Sequence, residues 1–102
     1  MEFGRWYPLA EAAAHAPDRP GVFQLRLRTG LIDYPRGKSA MVRYGAADDV
    51  RAAVVALAGE VGAVDWLCRH LLGPTTGEEA TALAARLSRD FAVRFGHPPS
   101  PP

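Results

Sequence analysis

The segment from Pro20 to Val54 constrains the fold more than any other part of this chain. Val22 to Arg28 alternates strictly, with Phe23, Leu25 and Leu27 on one side and Gln24, Arg26 and Arg28 on the other. A period of two predicts an antiparallel strand buried on one face and wet on the other. Thr29-Gly30 closes it. Leu31 to Tyr34 is again strand-like, Pro35-Arg36-Gly37 interrupts it, and Ser39 to Tyr44 resumes extended structure. Proline cannot donate to a central ladder, so the interruption is read as an excursion between two paired strands. Gly45 ends the second strand, and Asp48 or a neighbour caps a helix reaching Leu57 or Ala58. Val50, Ala53, Val54 and Leu57 form its apolar stripe.

The flanks complete a β-β-α-β-α order. Val64 to Leu72 is a short apolar run, read as a third strand in preference to a helix. Gly73-Pro74-Thr75-Thr76-Gly77 is a loop and helix start. From Glu78 to Phe95 the residues Ala80, Leu83, Leu87, Phe91 and Phe95 recur at helical spacing. Glu78 and Glu79 favour the positive end of that helix dipole, and Gly96 is a natural stop. Residues 1–19 form an arm with a short helix over LAEAAAHA. The expected class is α+β, with a small three-stranded antiparallel sheet flanked by helices. One domain spans 1–97, and 98–102 is an extended Pro-rich tail.

At 102 residues the chain holds one modest core. Its formal charge is +1, with eleven arginines against the single Lys38. Net charge therefore makes no case for nucleic acid, although arginine suits phosphate and carboxylate forks better than lysine does. Cys68 has no partner for an internal disulfide and reads as a packed thiol. The first residues lack the order of a signal peptide, and no apolar run is long enough for a bilayer, so the expected setting is a bacterial cytoplasm without membrane attachment.

Residues Gly21-Val22-Phe23, preceded by proline, and Arg43-Tyr44-Gly45, followed by AADDVRAA, resemble the two motifs of the GIY-YIG nuclease superfamily. The likeness continues through the last helix to the FGHPP ending. A second register exists, in which Tyr34-Pro35-Arg36, separated from Phe23 by ten residues, takes the place of the second motif. The resemblance implies a tyrosine that helps deprotonate water, a helix arginine that neutralises phosphate, and a glutamate that fixes a divalent metal. Carried onto this chain, those positions hold Phe23, Ala53 and Ala84. The resemblance thus implies a catalytically silent binding module with no cofactor. Its expected contacts with DNA or RNA, or with a protein, are Arg26, Arg28 and Arg43 on the sheet face and Tyr34, Arg36 and Lys38 on a protruding loop. The alternative is an altered phosphodiesterase that uses Tyr34, Tyr44 and Arg51 with magnesium or manganese.

Other patterns are weaker. Gly37-Lys38-Ser39 ends like a phosphate-binding loop, but the glycine required five residues earlier is Ile32. Cys68 and His70 fall on one strand face, and two ligands do not make a structural zinc site. Oligomeric state is not legible.

Overall fold

The computed structural model describes residues 1–102. In chain order it contains β1 (Tyr7–Pro8), a 3-10 turn (Leu9–Glu11), α1 (Ala12–His15), β2 (Gly21–Leu27), β3 (Ile32–Tyr34), β4 (Gly37–Ser39), β5 (Met41–Ala47), α2 (Val50–Val61), β6 (Trp66–His70) and α3 (Gly77–Phe95). The main sheet is antiparallel with four strands in the order β1-β6-β2-β5. The expected three strands are β2, β5 and β6. The fourth, β1, is two residues of the N-terminal arm that pair Tyr7 with Cys68 and Pro8 with Leu67.

Between β2 and β5 the excursion folds into its own hairpin, with β3 paired to β4. The chain then rejoins the sheet, where Phe23 lies opposite Gly45 and Gln24 opposite Tyr44. A shift of register between Leu25 and Arg26 marks a bulge that gives β5 one extra residue. Phe23 explains the glycine. A Cβ on Gly45 would run into the Phe23 ring, which is 2% exposed and has nowhere to go.

Two helical layers cover the sheet. The larger core joins Phe23, Leu25, Val42 and Cys68 to Leu9, Ala12 and Ala16 of the arm and to Val50 and Val54 of α2. On the other face Val22 packs on Ala80 and Ala84 of α3, with Phe3, Leu71, Leu83 and Leu87 around them. The expectation of one wet face on β2 is therefore corrected: Val22 and Gln24 are as buried as Phe23 and Leu25. Alternation misled because Gln24 looks like a surface residue, whereas it is buried with its amide oxygen bonded to Arg69 Nε at 2.8 Å.

Both long helices have defined starts. Asp49, the neighbour of Asp48, caps α2 by accepting the amide of Ala52 at 3.0 Å. Thr76 and Glu79 form a reciprocal capping box on α3 at 3.1 Å each way. Gly96 stops α3 in the left-handed region, where φ is 102°. Its missing Cβ also admits the ring of Pro35 from the inserted hairpin. No helix is long and apolar enough to cross a membrane.

Candidate functional site

The arm runs along β6 at the edge of the sheet and lays Trp6 against two arginines from adjacent central strands. Arg26 on β2 places its guanidinium carbon 4.4 Å from the centroid of the Trp6 ring, and Arg69 on β6 places its own at 4.5 Å. Arg69 also lies 5.2 Å from the Phe3 ring centre. Sheet register produces this pairing: Gln24 is opposite Arg69, and Arg26 is the next residue of β2 on the same face.

The cluster has no counter-charge. Neither Arg26 nor Arg69 forms an ion pair, since the four salt bridges of the molecule use other residues. Arg26 Nε is buried with no hydrogen-bond partner. Burial, followed by the neighbouring Arg26 charge, moves the Arg69 guanidinium below its ordinary range. A like-charge pair with an idle buried donor is an arrangement that an oxyanion would complete. Tyr44 borders it, with its phenol pushed up by burial and only partly relieved by Arg69.

The other sequence-selected residues are scattered. Arg28 lies past the end of β2 and binds Asp65 at 2.7 Å. Arg43 lies exposed on the outer edge strand β5 without an ion pair, and the shared face expected for it with Arg26 is corrected: it pairs with Leu25 of the larger core, while its neighbour Tyr44 takes the α3 side. Within 34–38, Pro35 to Lys38 are exposed, whereas Tyr34 is not the surface side chain expected. Tyr34 is 6% exposed, donates to the carbonyl of Met41 at 2.6 Å and packs edge-on against Phe91. The tail folds back onto it: the amide of Ser100 donates to the Tyr34 hydroxyl at 3.2 Å. Arg36 closes the end of α3, its amide bonded to Phe95 O and its guanidinium to Ala92 O. Lys38 is exposed and faces Asp33 at 3.5 Å. Exposed Arg36 and Lys38 thus edge a folded hairpin that is anchored by the buried tyrosine.

Nor do Tyr34, Tyr44 and Arg51 converge. Both tyrosines border Phe91 on the α3 side. Arg51 belongs to α2 on the opposite face, where its Nε donates to Ala16 O at 2.7 Å and its Nη1 approaches Asp18 at 4.0 Å. It ties the helix to the 16–19 loop. Phe23 and Ala84 are buried, and Ala53 is packed beside the larger core.

Sequence reasoning missed Arg69, Trp6 and Phe3 as site residues. Arg69 sits inside an apolar run and was read as part of a third strand. Its alignment with Arg26 depends on the β2–β6 register, which no local signal carries. Trp6 lies in an arm whose sequence carries no signal of which residues it meets.

Comparison of the chain with models of protein families, with curated proteins and with solved structures finds no match.

Proposed function

We propose that this chain is a catalytically silent, GIY-YIG-like binding module that grips the phosphate backbone of a nucleic acid through the Arg26–Trp6–Arg69 face. The observation that carries the reading is the pair of uncompensated arginines around one indole, with Arg26 Nε left without an acceptor. Arginine forks suit phosphate oxygens, and a backbone contact needs no base-specific group. Arg36 and Lys38, exposed on the inserted hairpin at the end of α3, would extend the contact along a strand; Arg43, on the other face of the sheet, would not. Arg28, committed to Asp65, would contribute less.

Absence of hydrolysis is part of the proposal. It rests on Phe23, Ala53 and Ala84 at the positions that the family resemblance would assign to chemistry, and on the separation of Arg51 from the two tyrosines. The likeness itself is supported by the β2–β5 pairing that sets Phe23 opposite Gly45, and by the helix that follows directly.

The test is a mobility-shift assay with short DNA and RNA probes at low and moderate salt, with and without magnesium. The reading expects salt-sensitive binding of uncut probe, lost in Arg26→Met/Arg69→Gln protein that keeps its circular dichroism spectrum. Cleaved probe would overturn the silent module. Salt-insensitive capture of a protein, with no nucleic-acid binding, would move the partner to another class of macromolecule.

A further inference from the structure

A second group of polar side chains lies along the edge strand β1, apart from the arginine pair. Arg5, Trp6, Tyr7, Pro8, His70 and Leu72 help line an open groove of about 450 Å³. That volume suits a small organic molecule. The polar groups on its wall are joined to a buried relay. The Cys68 thiol donates to the Tyr7 hydroxyl at 3.5 Å, and the Tyr7 hydroxyl lies 3.0 Å from His70 Nδ1.

The order of protons along this relay follows from what each group can do. Tyr7 is 8% exposed and Cys68 is fully buried, so both stay protonated at neutral pH; burial pushes the thiol up to about 11. Apart from the weakly accepting Cys68 sulfur, the imidazole is the only partner of the Tyr7 hydroxyl. Donation from Tyr7 to Nδ1 leaves the neutral ring its proton on Nε2. Burial, then the charges of Arg19 and His15, favour that neutral ring. Nε2–H has no partner within the protein, and the ring is part-exposed at the groove.

The groove therefore presents several donors. His70 offers Nε2–H, Arg5 its guanidinium and Trp6 its indole N–H, while Arg19 lies near enough to act on His70. The Glu11 carboxylate lies 3.5 Å from His15 Nε2. Apolar surface comes from Trp6, Pro8 and Leu72. We propose that this groove binds a small organic oxyanion, a carboxylate or a phosphomonoester, with its charged end on Arg5 and His70 Nε2–H and its apolar body along Trp6 and Leu72. The groove shares the Trp6 ring with the nucleic-acid face, but the contacts to the charged end of the ligand use neither Arg26 nor Arg69.

The test follows the His70 and His15 ring nitrogens of 15N-labelled full-length chain by long-range proton–nitrogen correlation. Benzoate and phenyl phosphate serve as the two anionic probes, and benzyl alcohol is the neutral control. Expected is a saturable shift of His70 Nε2 with at least one anionic probe, and none with the alcohol. Arg5→Gln weakens the response roughly ten-fold, the loss of one charge-assisted hydrogen bond. Arg26→Met/Arg69→Gln protein keeps the response. Saturation by benzoate alone or by phenyl phosphate alone assigns the class of acid. A linear, unsaturable shift, an equal response to benzyl alcohol, or indifference to Arg5→Gln would overturn the proposal.

Discussion

Replacing Arg26 with methionine should make the free protein more stable while it weakens the proposed contact with phosphate. The guanidinium carbons of Arg26 and Arg69 lie 4.4 and 4.5 Å from one ring centre, so they are at most ~9 Å apart. At that separation two unit charges repel by about 0.5 kcal/mol in water and by about 2 kcal/mol at the effective dielectric of a protein surface. The unpaired Nε adds the cost of an unsatisfied buried donor, about 1–3 kcal/mol. Against these stands the attraction of the cation for Trp6, about 0.5–1 kcal/mol at a partly exposed site. Methionine keeps much of the stem and its packing. The balance favours Arg26→Met by about 1 kcal/mol, which raises Tm by about 4–8 °C in a domain of this size. Thermal unfolding followed by circular dichroism at low salt measures it. The repulsive part should shrink as salt screens it, so the gap between variant and wild type should narrow at about 0.5 M sodium chloride. A variant less stable than wild type by more than about 1 kcal/mol, with a gap that ignores salt, would refute the reasoning and make Arg26 a structural stacking residue.

Other predictions concern packing, capping and titration. Gly45→Ala drives a methyl group into the buried Phe23 ring and should cost about 1–3 kcal/mol in chemical denaturation, with part of the loss recovered when Phe23→Leu is added. Thr76→Ala breaks the capping box of α3 and should lower stability by about 1 kcal/mol, seen as a shift of the urea midpoint at unchanged slope. His70 is held below its ordinary pKa in the folded protein, mainly by burial, so the unfolded chain binds more protons there. Its contribution to stability is full above about pH 6.5 and is lost as pH falls through the lower folded value. The stability difference between wild type and His70→Gln should therefore decline on acidification from about pH 8 to pH 5, and a flat difference would show that the ring is not desolvated.

Much of the architecture was legible because local chemistry and tertiary packing agree. The period of α3, its acidic first turn and Gly96 located that helix within a residue at each end. The alternation of β2 and the apolar run at β6 gave the central strands. What failed were inferences about solvent. Gln24 was read as exposed because alternation reports which residues share a face, not whether a second layer covers the other one. Tyr34 was read as a loop side chain because Pro35 and Gly37 flank it, yet those residues make the tight hairpin that turns its ring onto Phe91 and Phe95. The two-residue strand β1 is invisible by pattern, since it is fixed by pairing with a strand sixty residues away. The candidate site was half legible. Arg26 could be selected by sign and position, whereas its partners Arg69 and Trp6 are defined by register and by the path of the arm.

The most direct test of the account is the salt dependence of binding to a fluorescent single-stranded oligonucleotide, measured by anisotropy for wild type and for Arg26→Met/Arg69→Gln. Each phosphate contact on a single strand contributes about −0.7 to the slope of log affinity against log salt. If the two arginines each hold a phosphate, the variant binds more weakly and its slope is shallower by about 1.4. Equal affinity and equal slope in the two proteins would contradict the assignment of this face to nucleic acid.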